Sequence, residues 1–245
     1  MSGLTGKTAL VTGASRGIGR YTAQRLARDG ARVGVHYGKN EQAAKDTVAS
    51  IEADGGSAFA LQADLAAPHA AEALWTAFDE HADGVDILVN NAGVVVYGRV
   101  NEVAEEDFDR LFAVNVKAPL FIIQHGLHRL RDGGRIINLS SAGAYIASPM
   151  ATMYTMTKGA INTLTRTLAW DLGERHVNVN AVAPGFADPV AKAWAAAQGV
   201  QGRVGLPDDV GDTIAFLASD DARWINGQVI DATGGGVLGV SKIAV

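Results

Sequence analysis

Short apolar runs alternate with amphipathic segments along almost all of this chain, and that alternation restricts its fold more than any other feature. The apolar runs cover residues 8–11, 31–37, 58–63, 87–90, 135–139, 177–181 and 228–231. Each has strand length and is apolar on both faces. Between them the 3.6-residue period predicts helices over 18–28, 41–53, 70–81, 108–130, 151–174 and 208–219. Asp29-Gly30 and Gly55-Gly56 close the first two helices, and Pro207 sits at the first turn of the last. Strands buried on both faces and joined through helices make a parallel sheet covered on both sides. The expected fold is therefore α/β: a doubly wound, Rossmann-like parallel sheet in one domain spanning 1–245. No linker, repeat or low-complexity tract interrupts it. At 48% hydrophobic and 19% charged residues, a chain of 245 can build such a core.

Open sheets of this kind bind ligands beyond the carboxyl ends of their strands. The segments following Val11, Ala63, Val89, Leu139 and Val182 are thus where chemistry is expected. Glycine, at 29 residues, is the outlying count, and many of the glycines fall in such places. Thr12-Gly13-Ala14-Ser15-Arg16-Gly17-Ile18-Gly19 joins the first strand to the first helix. Glycine lets the chain turn sharply and approach a ligand, and a helix N-terminus favours a pyrophosphate. The spacing is G-x-x-x-G-x-G, which taken alone also suits a tight strand–helix corner. The second strand ends His36-Tyr37-Gly38-Lys39, without the acidic residue that binds a ribose 2′-hydroxyl in NAD sites. Lys39 and Arg16 offer positive charge to a 2′-phosphate instead, so NADP(H) is preferred and NAD(H) remains possible.

Tyr154 and Lys158 are four residues apart at the start of a predicted helix and emerge on one face. A cation beside a phenol favours the phenolate, which is expected to lower the Tyr154 pKa toward neutrality. The spacing alone also suits two residues on a solvated face. Ser141 lies just past the fifth strand, where its hydroxyl suits either a substrate oxygen or a turn. No cysteine is present, so disulfides, thiolate metal sites and a cysteine nucleophile are excluded. The six histidines are scattered, and His125 and His128 read as a surface or interface pair, so no metal is expected. A net charge of −5 argues against nucleic acid or an anionic membrane as partner. Without a signal-like N-terminus or a spanning apolar run, a cytoplasmic setting is expected.

Together these residues resemble the short-chain dehydrogenase/reductase family. The resemblance rests on the Thr12–Gly19 turn, Asn90-Asn91-Ala92-Gly93, Asn115, Ser141, Tyr154-x-x-x-Lys158 and Pro184-Gly185, and runs from about Lys7 to Gly235. Within the family the 3-oxoacyl-carrier-protein reductases and carbonyl reductases are most similar. The resemblance implies a reductase that passes hydride from NADPH to a ketone or aldehyde, reversibly. It implies that Tyr154 is the acid–base, that Lys158 tunes it and holds the nicotinamide ribose, and that Ser141 positions the carbonyl. Asn115 would distort its helix and support a water relay through Lys158. Gly13, Gly17, Ile18 and Gly19 would contact the phosphates and their surroundings, and Ser15, Arg16, Tyr37 and Lys39 are the further cofactor-binding candidates of the same two loops. Asp64 and Leu65 would flank the adenine, Asn91, Ala92 and Gly93 the adenosine side, and Pro184 and Gly185 the nicotinamide. An NAD-linked secondary-alcohol dehydrogenase and a non-catalytic nucleotide-binding scaffold are the alternatives.

Two features depart from that pattern. Pro189 stands where relatives carry a threonine, at the start of a short Ala-rich substrate lid expected over about 186–202. Asn178 stands where Arg is common. Val94, Val95, Ala144, Tyr145, Met150, Phe186 and Trp194 suggest an apolar substrate pocket. Apolar residues on several faces of the two long helices, among them Ala113, Val116, Phe121, Ile122, Ala160, Leu164, Leu168 and Trp170, predict a homo-oligomer, a tetramer or dimer.

Overall fold

The structure, a computed structural model, describes residues 3–185, 200–201 and 203–238. Seven strands form one parallel sheet in the order β3-β2-β1-β4-β5-β6-β7. They are β1 (Thr8–Val11), β2 (Arg32–Tyr37), β3 (Ser57–Gln62), β4 (Val85–Asn90), β5 (Leu130–Leu139), β6 (Asn178–Pro184) and β7 (Val229–Ala232). The helices are α1 (Gly17–Arg28), α2 (Glu41–Ala53), α3 (Ala70–Asp79), α4 (Glu105–Phe112), α5 (Ala118–Gly126), α6 (Thr152–Asp171) and α7 (Pro207–Ala218). Strand order reverses at β1, where β2 runs on one side and β4 on the other, and this opens the ligand crevice of the fold. Val11 lies level with both Val35 and Val89, so the segments after them share one edge.

Successive β1 side chains enter opposite cores, as the two-residue period requires. Ala9 and Val11 pack with Leu26, Ile51 and Ile214 under α1, α2 and α7. Leu10 packs with Leu74, Trp75, Phe78, Ile122 and Ile123 under α3 and α5. The Trp75 indole N–H donates to Ile122 O at 2.8 Å, which satisfies the one polar atom of that buried ring.

The expected helix over 108–130 is three pieces. α4 begins earlier, at Glu105, and passes into a π-helical turn at Ala113–Lys117 before α5 ends at Gly126. Leu130 already belongs to β5. Pro119 accounts for the irregularity: it lacks the N–H that an α-helix would direct to Asn115 O. The Ala118 N–H reaches back five residues, to Ala113 O. The helix expected over 151–174 stops at Asp171 and continues as a 3-10 turn, Gly173–Arg175, which ends in left-handed His176 (φ 55°). The expected lid over 186–202 lies outside the described residues except for Val200 and Gln201; Pro189, Phe186 and Trp194 lie outside them too.

Candidate active site

The loops at the carboxyl ends of the strands bring most of the singled-out residues to one edge. Gly13 turns the chain out of β1 with φ 65°, and a Cβ there would stand 2.9 Å from Ala92 Cα. The turn is therefore pressed against the Asn91-Ala92 backbone. Thr12, to which the sequence reading gave no role of its own, ties the two together. Its hydroxyl accepts from Asn91 N and Ala92 N, each at 3.0 Å, and donates to Val89 O at 3.3 Å. The Asn91 side chain donates to Thr12 O at 2.8 Å and to Gly13 O at 3.1 Å. A hydroxyl closing the first strand was the only signal for Thr12 in the sequence. Gly13 N–H donates to Nδ1 of His36 at 3.0 Å.

Beyond this closed floor the turn is open. Gly17 has φ 56° and nothing within 4 Å of where a Cβ would be. Arg16 precedes α1 in extended conformation, and no side chain caps that helix. First-turn N–H groups are thus left for an external acceptor, which fits a dinucleotide pyrophosphate. Arg16 and Lys39 are both solvent-exposed on this edge, whereas Tyr37, Ser15 and Ile18 are half-buried. Past β3, Asp64 is exposed and its carboxylate accepts from Ala66 N at 3.0 Å, while Leu65 is buried. Pro184 closes β6 opposite Ala232, with Gly185 against Thr233. The uncapped first turn of α1 and the exposed Arg16 and Lys39 fit the pyrophosphate and 2′-phosphate of NADP(H).

The residues singled out for proton handling meet at the end of β5. Ser141 caps a short 3-10 turn, its hydroxyl accepting from Gly143 N at 3.1 Å. The same hydroxyl is hydrogen-bonded to the Tyr154 phenol. α6 is fixed on the sheet by buried polar contacts: Asn90 Nδ2 to Asn138 Oδ1 at 2.9 Å, Asn138 Nδ2 to Thr165 Oγ1 at 3.0 Å, and Ser140 Oγ to Asn162 Oδ1 at 2.6 Å. Such a network sets the position of the first α6 turn, and hence of Tyr154. Lys158 is buried; its Nζ donates to Leu139 O at 2.7 Å and lies 5.5 Å from the Tyr154 ring centroid. Asn115, in the π-turn, accepts on Oδ1 from Val94 N at 2.9 Å and donates from Nδ2 to Val94 O at 2.8 Å and Thr157 Oγ1 at 3.2 Å. Gly93 faces both Asn115 Oδ1 and Lys158 Nζ.

The electrostatics differ from the sequence expectation at one point. Burial pushes the Tyr154 phenol above its ordinary value, and the hydrogen bond with Ser141 draws it back by less. Burial lowers Lys158 to about 8. The lysine acts over the ring and against Leu139 O, so the expected lowering of the phenol is absent. Tyr154 is consequently a protonated donor at neutral pH. His125 and His128 are not brought to this edge; they line a surface hollow with Glu72, Trp75, Thr76, Gln124 and Arg129.

A dinucleotide cradle joined to a Ser–Tyr–Lys cluster defines an NAD(P)-dependent oxidoreductase acting on CH–OH and C=O groups. Residues 13–236 match a family model described as enoyl-(acyl carrier protein) reductase. The versicolorin reductase stcU of Emericella nidulans is 40% identical over 253 residues, covering 95% of this chain and 96% of that protein. The solved angucycline C-6 ketoreductase LanV with bound NADP is 47% identical, with a TM-score of 0.93 and coverage of 98% and 99%. The structure of landomycin C-6 ketoreductase LanV with NADP and rabelomycin is 46% identical, with a TM-score of 0.92 and coverage of 97% and 99%. The chain belongs to the short-chain dehydrogenase/reductase family.

Proposed function

We propose that this NADP-dependent ketoreductase reduces a bulky apolar ketone of the angucycline kind, with Tyr154 as proton donor. The observation that carries this reading is the Ser141–Tyr154–Lys158 cluster at the end of β5, beside Gly93 and the dinucleotide turn. Its rim supports the substrate class: Val95, Tyr97, Tyr145 and Met150 are apolar or aromatic and exposed beside it. A bridge between Gly98 and Ala151, with Gly98 N–H donating to Met150 O at 2.9 Å, joins the loop after β4 to the start of α6.

NADPH, when bound, supplies the hydride. Ser141 and Tyr154 place their hydroxyls together, so both hold one carbonyl oxygen, and the phenol gives that oxygen its proton. Lys158, still mostly protonated at neutral pH, offsets negative charge developing on the phenol and holds the ribose hydroxyls of the cofactor. Asn115 fixes the loop after β4 against α6 and is a positioning residue. Arg16 and Lys39 select the 2′-phosphate. The absence of cysteine supports a reducing, cytoplasmic setting.

The test is loss of reduced-nicotinamide absorbance with a ketone panel that includes rabelomycin. Tyr154→Phe is expected to lower turnover by roughly 10²-fold or more with little change in NADPH affinity. Turnover within a few-fold of the parent would remove Tyr154 from its role. NADPH binding without turnover of any ketone would favour a scaffold.

A further inference from the structure

One buried titratable group has no part in the chemistry above. His36, on β2, is 2% exposed and lies beneath the phosphate turn. We propose that His36 is a positioning residue of the dinucleotide site, a neutral strut that holds the phosphate turn at a fixed distance from the segment flanking the adenine, so that affinity for NADPH and NADH alike depends on it. This rests on the dinucleotide-binding reading of the same edge.

The geometry follows from where the strands end. Gly13 has left the β1 ladder with positive φ, so its N–H no longer faces a neighbouring strand. Nδ1 of His36 accepts that N–H at 3.0 Å. Nδ1 is then the acceptor nitrogen, so Nε2 carries the hydrogen and donates to Ala63 O, also at 3.0 Å. Ala63 lies one residue past β3, immediately before Asp64 and Leu65. One planar ring thus satisfies a main-chain group on each of two adjacent loops. Ala14 N–H donating to His36 O at 2.9 Å and Ala63 N–H donating to Tyr37 O at 3.2 Å add main-chain ties at the same level.

On its opposite side the turn meets Asn91 and Ala92. Gly13 is therefore fixed from both flanks, and the Ser15–Gly17 stretch is left to face outward. Burial lowers His36 to about 4, so the ring is neutral at pH 7 and its acceptor nitrogen is available. Its two partners belong to the loops around the pyrophosphate and adenine, which both dinucleotides share. Arg16 and Lys39, in contrast, are placed to read the 2′-phosphate. The two roles therefore differ in which cofactor they affect.

Three substitutions separate the bonds. Asn places an amide oxygen near Nδ1 and keeps an acceptor for Gly13; Gln places an amide nitrogen near Nε2 and keeps a donor for Ala63; Leu keeps neither. Dissociation constants for NADPH and NADH are measured by nicotinamide fluorescence without any ketone, and exchange of the Gly13 amide hydrogen is followed alongside. His36→Leu is expected to weaken both dinucleotides by ~10-fold or more, the ratio between them staying within about 2-fold. His36→Asn should restore both to within about 3-fold of the parent and slow Gly13 exchange, and His36→Gln should restore less. In steady state the change should appear in the cofactor KM, with kcat at saturating NADPH shifting less than about 3-fold.

Parent-like affinity in His36→Leu would overturn the proposal. So would a loss confined to NADPH, or an Asn variant no better than Leu. If the Leu variant does not fold, Asn against Gln decides, and equal, parent-like affinities in both overturn it. Because the binding measurements use no ketone, a wrong substrate class leaves them untouched. A parent protein that binds neither dinucleotide defeats the proposal and the reading beneath it.

Discussion

At the scale of single residues, charge and protonation decide what the site selects. Arg16 is exposed at the mouth of the phosphate turn, and a charge-assisted contact to phosphate contributes about 1.5–3 kcal/mol. Arg16→Ala is therefore expected to weaken NADPH some ~10- to 150-fold relative to NADH, measured by titration of both. Equal losses would show that Arg16 only supports the loop. His36 gives a second prediction, through stability. Its pKa is held near 4 in the fold against 6.5 ordinarily, so between those values the unfolded chain binds a proton that the folded chain does not. Stability contributed by the neutral ring is complete above about pH 6.5 and declines as pH falls toward 4, by up to about 3 kcal/mol. Urea unfolding at pH 7 and near pH 4.5 should show a smaller acid loss in His36→Asn than in the parent. Identical losses would mean the ring is not held neutral. The position of Arg16 inside the turn was readable in the sequence. The hydrogen bonds of His36 were not, because they join loops 23 and 27 residues away.

At the scale of elements, glycines mark where two pieces of backbone approach too closely for a side chain. A Cβ on Gly19, in the first turn of α1, would overlap Gly13 O and Asn91 Nδ2. A Cβ on Gly126, at the end of α5, would overlap the Trp75 ring of α3. Both alanine variants should lose about 1–3 kcal/mol of stability by overpacking. Only Gly19→Ala should also weaken NADPH, because its obstruction lies in the phosphate turn. Equal NADPH affinity in the two variants, measured by titration after confirming that both are folded, would contradict the placement of that turn. The π-turn at Ala113–Lys117 belongs to this scale as well. The apolar period of 108–130 was legible and indicated helix, which holds as far as Gly126. Pro119, which accounts for the wider turn, was visible too; the bonds from Asn115 to Val94 and Thr157 were not, because they cross 21 and 42 residues.

For the whole molecule, large apolar side chains stand exposed on different helices. Leu120 on α5 and Trp170 on α6 are exposed, the latter by 90%, and Phe216 on α7 and Trp224 beyond it are exposed, the latter by 97%. We propose that these two places serve as two isologous contacts, which would close into a tetramer of dihedral symmetry. Light scattering at micromolar concentration should give the mass of four chains, and Trp170→Glu should reduce it to that of two. A monomeric mass for the parent would contradict the assembly.

Strand–helix alternation by itself determined the architecture. Each short apolar run can be buried only between two layers, and helical crossovers of this length join strands only in parallel. The motif residues were legible for a related reason: the loops at the carboxyl edge are short, so a residue's place after a given strand fixes its neighbourhood. The place of Ser141 was legible in this way, and the four-residue spacing of Tyr154 and Lys158 on one helical face brought them to the same cluster. Their protonation was not legible, since pKa depends on what surrounds a side chain rather than on what precedes it. Spacing suggested that Lys158 would lower Tyr154. The tertiary structure instead gave the ammonium to Leu139 O and buried the phenol, and desolvation outweighed the hydrogen bond from Ser141. Sequence order specifies which groups share an edge, while packing across the sheet decides which hydrogen bonds they make and how much water they keep.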